Sequence, residues 1–437
     1  MSILRAMYTG VSGVNAQSEA LGVVGDNIAN VNTVGFKEQR ALFEDILGKS
    51  FGDGPGVGVR VARVQQMFSQ GALSNTGVST DVALNGDGFF VVKGAVGGID
   101  GTYFTRAGQF KVDKDGYLVS PQGLQAQGYK VNPDGATFSS VIGPIQLTTA
   151  ALQPRPTSTM TVTANLNASA TSPATWDPQS PSATSNASTS ITVYDTLGAP
   201  HTVTTFFRKE AAAGTWSYHV LASSSEVNTP TPPTGSTYTE LTGGTGTLTF
   251  SSTGALITGP TLPVTVTFKN GAQVAGQNTM VLNYGNPPPP TGTGTGLDGV
   301  TQFSSPSSVS SQGQDGYSSA DLAGVNIDAG GVISGVYTNG QKVPMAQATI
   351  AKFRSNEGLG RAGQNLFTDT RESGQAALGL AGIGGRGSLT SGSVEQSNVD
   401  LAKQFVNLIQ HQRAFQANTK TISTDDEMLQ ELVNLKR

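Results

Sequence analysis

Three histidines, His201, His219 and His411, are the side chains in this sequence best suited to moving a proton or holding a metal near neutral pH. None has a metal-ligating partner at i, i+4, and none sits in an HExxH run. His201 and His219 fall in strand-like runs, and His411 lies between Leu408 and Phe415 on a helical pattern, so structural roles are expected. Gly382 to Gly387 (GIGGRG) and Gly294 to Gly299 (GTGLDG) match GxGxxG, yet neither has a strand before it and a helix opening after it. Asp113, Asp115 and Gly116 lack the spaced ligands and final Glu of a calcium loop, and read as a turn. GVSG at Gly10 falls short of a nucleophile elbow. Cysteine is absent, which removes disulfides, thiolate zinc, iron–sulfur clusters and thiol nucleophiles together. No catalytic, cofactor-binding or metal residue is proposed from spacing, and an enzyme is not expected.

The elements that would position these residues follow from length and composition. A chain of 437 residues suggests about three domains of roughly 150 residues each. Glycine, 56 residues or about 13 %, is well above its usual share of about 7 %, and charged residues, at 13 %, are well below about 25 %. The chain is therefore loop-rich and weakly charged. Lys and Arg number 26 against 30 Asp and Glu, so no basic footprint for nucleic acid or anionic lipid is present. The start lacks the features of a secretory signal, and no run of 18 apolar residues could insert in a membrane. The chain is expected to stay in the cytosol or to leave the cell by a route without a cleaved signal.

The two ends carry heptad-like stepping. Ile3, Met7, Gly10, Val14, Gln17, Leu21, Val24, Ile28 and Val31 step by four and three, which predicts an amphipathic helix. Gly10, Gly13, Gly22 and Gly25 lie inside it, each costing about 1 kcal/mol relative to Ala, so the lone helix is marginal. From Val394 the stepping runs through Asn398, Leu401, Phe405, Leu408, Gln412, Phe415, Thr419, Ile422, Asp426, Leu429 and Val433. Thr424 and Glu427 resemble a capping box, but the phase carries unbroken from Ile422 to Leu429, favouring one long helix.

Between the ends the pattern is strand and turn. FTRAGQFKVDKDGYLVSPQG contains a hairpin signal at Asp113 to Gly116, and GVNIDAGGVISGVYTNGQKV has turns at Gly330-Gly331 and Asn339-Gly340. ITVYDTLGAPHTVTTFF, TWSYHVLA and VTVTFKNGAQV add further strands. The layout is nested: 1–34 plus 394–437 as a terminal helical domain, 35–70 as an extended connecting segment, 71–147 plus 315–393 as a β domain, and 148–314 as a central outer β domain. The fold class expected is α+β multidomain, with a coiled-coil inner domain of terminal α-helices and two mainly antiparallel all-β domains nested between them.

An apolar helical stripe must be buried, and distant ends can pair with each other or with neighbouring copies. A two-helix pair leaves part of each stripe exposed, which marks an interaction site. The expected seam comprises Ile3, Met7, Val14, Leu21, Val24, Ile28, Val31, Leu401, Phe405, Leu408, Phe415, Ile422, Leu429 and Val433, with the ends ordering together on polymerisation. Repetition of one non-closing interface gives a helical filament.

Met7 to Lys37 and Ser397 to Leu435 closely resemble the terminal signatures of the bacterial flagellar rod and hook family of axial proteins. GALSNTGVSTDVALNGDGFFVV, YFTRAGQFKVDKDGYLV, ITVYDTLGAPHTVTTFF and DGYSSADLAGVNIDAGGVISGVYTNGQ are similar to segments of the hook branch, and the insert at about 148–314 favours it over the shorter distal rod branch. The resemblance implies a subunit exported through the flagellar type III apparatus and polymerised with itself into a curved, flexible tube outside the cell. It also implies a hook cap protein, a distal rod protein and a hook–filament junction protein as partners, no cofactor, and a universal joint carrying torque. A distal rod-type protein and a secreted adhesin are the competing expectations.

Overall fold

Alternating apolar and polar side chains build most of the molecule. In the computed structural model, which describes residues 2–46, 56–132, 135, 137–147, 151–231, 234–258, 261–269 and 271–434, the strand Ala187–Tyr194 buries Thr189, Ile191 and Val193 and exposes Ser190 and Thr192. That period of two is what a sheet with one solvated face requires. It pairs antiparallel with Pro200–Lys209, Ile191 opposite Val203, around a turn in which Asp195 Oδ1 accepts from the amides of Leu197 (2.8 Å) and Ala199 (2.9 Å).

The chain forms two compact units. One comprises Ala150–Leu322 with Tyr337–Gly340. Its main sheet runs in the order Ala187–Tyr194, Pro200–Lys209, Thr215–Ser223, Tyr238–Phe250, Thr261–Thr265, Thr279–Asn283, Thr159–Asn165, Val300–Thr301. Pairing is antiparallel except where Thr159–Asn165 runs parallel to Thr279–Asn283 and to Val300–Thr301. Phe207, Trp216, Tyr218, Phe268 and Tyr284 fill the core.

The other unit comprises Met1–Thr149, Ala323–Val336 and Gln341–Arg437. Strands distant in sequence meet in its large sheet: Lys342–Lys352 pairs antiparallel with both Gln125–Val131 and Phe89–Val96, and Ile99–Thr105 with Leu366–Thr368. The ring of Phe89 meets those of Phe68, Phe353 and Phe367 edge-on at 5.5 to 5.8 Å, a favoured aromatic geometry. The Asp113 turn forms as expected: Asp113 Oδ1 accepts from Asp115 N (2.9 Å) and Tyr117 N (2.7 Å), and Gly116 takes φ +81°. The turns at Gly331 and Gly340 likewise use left-handed glycines.

Two long helices close the same unit, Ser2–Ala29 and Leu401–Asn434. The second starts where Asp400 Oδ1 accepts from Ala402 N (2.9 Å) and Lys403 N (3.2 Å), an N-cap. It runs unbroken through the capping-box resemblance, because the Thr424 hydroxyl donates to Lys420 O (3.0 Å) inside the helix. The first helix ends at Ala29, so Val31 lies in the following turn and not on the helix. Within the connecting segment, Gln39–Asp45 pairs antiparallel with Val59–Gln66. The pair is held to the first helix by Val59 N donating to Ser12 Oγ (3.2 Å) and lies against the second through Phe43, whose ring is 6.1 Å from that of His411. No helix is long and apolar enough to cross a membrane among the described residues.

Candidate assembly interface

Small side chains decide how the two terminal helices meet. On the N-terminal helix the buried positions are Gly10, Gly13, Ala16, Ala20, Val24 and Asn27, spaced by three and four. A Cβ at Gly10 would stand 2.8 Å from Ile422 Cγ1, and one at Gly13 2.7 Å from the Asn418 amide, so backbone meets side chain directly. Gly22 and Gly25 have open space around them. The four glycines thus divide into two that admit the partner helix and two that do not touch it.

The helices run antiparallel: Gly10 faces Ile422, Gln17 faces His411, and Asn27 faces Gln404. His411 Nδ1 lies 2.7 Å from Gln17 Oε1, and burial holds this imidazole below its ordinary pKa. Gln404 accepts from Asn27 Nδ2 (3.3 Å) and donates to Glu38 Oε1 (2.7 Å), which also receives Lys403 Nζ (3.1 Å). Asn27 in turn clamps the backbone of Gln39, donating to its carbonyl (2.7 Å) and accepting from its amide (2.8 Å). Asn27, Gln404 and His411 thus each have a partner at this crossing, as low-dielectric surroundings demand, whereas Asp425 Oδ2 further along the helix is buried without one.

Just beyond the crossing, three charged residues from distant parts of the chain converge. Glu395 receives Lys37 Nζ (2.6 Å) and Arg106 Nη1 (3.3 Å), and all three side chains are at most 2 % exposed. Lys37 also donates to Ser69 O (2.7 Å), Gly71 N donates to Glu395 Oε1 (2.8 Å), and the Arg106 guanidinium lies 5.3 Å above the Phe89 ring. Burial lowers the pKa of Lys37 and of Arg106 although Glu395 opposes it. This cluster ties the segment leaving the first helix, the sheet and the segment entering the second helix into one neck.

The structure separates the seam read from apolar stepping. Val24 is buried, and Met7, Val14, Leu21, Ile28, Val31, Leu408, Phe415, Ile422 and Leu429 are half-buried. Leu401, Phe405 and Val433 are exposed; the Ile3 side chain lies outside the described residues. Six of the ten expected positions on the C-terminal helix, Leu401, Phe405, Gln412, Thr419, Asp426 and Val433, are exposed, and a buried or half-buried line stands one residue before four of them, at Gln404, His411, Asn418 and Asp425. At three of these positions the neighbouring helix offers a complement: Asn27 for Gln404, Gln17 for His411 and the bare backbone of Gly13 for Asn418. Their spacing of seven, and the small-residue run Gly10, Gly13, Ala16, Ala20, were the signals that apolar counting passed over. The neck residues carried no local signal, since Lys37, Arg106 and Glu395 are isolated charges in sequence.

Part of what remains uncovered is apolar. Leu401, Phe405, Val406 and Ile409 form a stripe over two turns of the C-terminal helix, 40 to 54 % exposed, and Tyr8 and Val11 stand out on the N-terminal helix.

The other histidines are structural. His201 sits between Glu226 (2.9 Å) and Asp195 (3.1 Å) and stacks on Phe268; His219 pairs with Glu240 (2.6 Å) and stacks on Trp176. Among the described residues no three His, Asp or Glu side chains are placed to hold a metal ion.

Family models match four stretches of the chain: the flagella basal body rod protein model over residues 7–37, the flagellar hook protein FlgE/F/G D1 domain over 83–165, the flagellar basal body protein FlaE D2 domain over 165–317, and the flagellar basal body rod FlgEFG protein C-terminal model over 390–435. The flagellar hook protein FlgE of Salmonella typhimurium is 35 % identical over 431 residues, covering 98 % of each chain. Those of Treponema pallidum and Escherichia coli K12 are each 34 % identical, over 478 and 435 residues, covering 99 to 100 % of this chain and all of each relative. The crystal structure of Helicobacter pylori flagellar hook protein FlgE2 superposes with a TM-score of 0.50 at 16 % identity, covering 74 % of this chain and all of that one, a likeness of fold.

Proposed function

The chain belongs to the flagellar hook protein family and is a structural subunit of the bacterial flagellar hook; we propose that it polymerises with itself into a short, curved, flexible tube that passes torque from rod to filament as a universal joint. The terminal helices would form a coiled-coil inner layer, with 71–147 plus 315–393 as a middle β domain and 148–314 as the outer one. The observation that carries this reading is the stripe of Leu401, Phe405, Val406 and Ile409, too apolar to remain in water and unmatched within the chain.

Its occupant is a second copy. The first part of the C-terminal helix carries Lys403, Arg413 and Lys420 and the last part Asp425, Asp426, Glu427 and Glu431, whereas the N-terminal helix has Arg5 near its start and Glu19 and Asp26 further on. Charge therefore favours the N-terminal helix of another copy, lying antiparallel, as a head-to-tail tube allows. Of the seam residues named from sequence, the exposed Leu401, Phe405 and Val433 are proposed to lie between copies. Export by the flagellar type III apparatus, an extracellular site, and contacts with a hook cap, a distal rod protein and a junction protein complete the proposal.

The test is to salt out the purified chain and image it. Short curved tubes support the reading; straight rods would point to a rod-type protein, and dispersed particles would overturn self-assembly.

A further inference from the structure

The C-terminal helix presents a line of polar side chains, beside the apolar Ile422, to its partner. Among its described residues Gln404 and Asp425 are the buried ones, while Phe405, Val406 and Ile409 stand about half exposed. Gln404, His411, Asn418 and Asp425 recur every seven residues, the interval that keeps a position on one seam of a helix pair.

We infer that Gln404, His411 and Asn418 form a register code that selects the N-terminal helix, in a single antiparallel alignment, as the partner of this face. A polar residue on a seam weakens pairing in general but fixes alignment, because only a complementary group opposite it avoids a buried, unmatched polar atom. Each position has its complement here. Gln404 meets Asn27, His411 meets Gln17, and the Asn418 amide fits against the bare backbone of Gly13. Sliding one helix by seven residues would set Gly10 against Phe415 or Leu429 in place of Ile422, and Gln17 against Gln404 or Asn418. It would also pull Gln404 and Lys403 away from Glu38. The same code keeps the C-terminal helix from pairing with its own kind through this face, leaving the Leu401–Phe405–Ile409 stripe as the face open to another copy.

Because the chain has no cysteine, engineered pairs report alignment cleanly. Gly10→Cys with Ile422→Cys reports the observed register; Gly10→Cys with Leu429→Cys, or with Phe415→Cys, reports a slip of one heptad. In dilute monomer the first pair should oxidise and the others should not. Placing Gln404→Leu, His411→Leu and Asn418→Leu in each background should lower the native cross-link roughly five-fold or more and raise the slipped pairs, with helical circular dichroism retained. Exchanging partners, Gln17→His with His411→Gln, should restore the native yield that His411→Leu alone reduces. An undiminished native cross-link in the triple-Leu chain, or failure of the exchange to restore it, overturns the inference. Both readouts are made on monomer, so they stand apart from whether tubes form.

Discussion

Lys37 Nζ lies 2.6 Å from Glu395 Oε1, joining residues 358 positions apart, and neither side chain reaches solvent. Arg106 shares the same carboxylate, so one buried anion answers two cations. Such a cluster is held together by its geometry and is weak evidence of net stability, but removing one member strands the others.

Glu395→Ala should therefore destabilise the chain by about 3 to 5 kcal/mol. Replacing Lys37 and Arg106 by Met together with Glu395 by Leu should recover most of that loss. Urea unfolding of the purified variants checks both, and an equal loss in the triple variant would show that the ion pairs themselves supply the stability.

Much of the β architecture was readable because sheets with one solvated face write a period of two into sequence, as in Ala187–Tyr194, and because Asp113–Gly116 and Asn339–Gly340 carry specific turn chemistry. The helices were readable as helices. Their contact was readable in part: Gly10, Gln17, Val24 and Ile422 of the stepping lie at it, but apolar stepping marks where a helix is greasy and not what it touches, and Phe405 is half exposed while its neighbour Gln404 is buried. The neck escaped entirely, because Lys37, Arg106 and Glu395 acquire meaning only when folding brings them together.

The glycines of the first helix should respond with opposite signs. Gly22→Ala and Gly25→Ala, with nothing within 4 Å, should each stabilise by up to about 1 kcal/mol through helix propensity. Gly10→Leu or Gly13→Leu should instead force the helices apart, costing about 1 to 3 kcal/mol and impairing polymerisation. Thermal melts and sedimentation distinguish the two classes.

Phe405→Ala should leave monomer stability within about 0.5 kcal/mol, since the ring is half exposed. The concentration needed to form tubes should rise about ten-fold or more, because the ring is buried only in the polymer. A destabilised monomer with normal assembly would place Phe405 within the chain's own core.

Acidification should loosen the helix pair. His411 has a folded-state pKa below its unfolded value near 6.5, so the neutral ring is the form that folding favours. Its contribution is full above about pH 6.5 and is lost as pH falls from there toward the folded value. Hydrogen exchange of amides around Gln17 and His411 should speed up over that interval, and His411→Gln should remove that part of the pH dependence.

The neck also fixes the path of mechanical load. Two chain segments pass side by side from the helices to the sheet, cross-linked by Lys37, Arg106 and Glu395. A pull on the helical end is shared between both segments and loads the cluster in shear, with the ion pairs and backbone hydrogen bonds strained together. A single-strand neck would peel open one bond at a time; a doubled one yields only when all its ties fail at once.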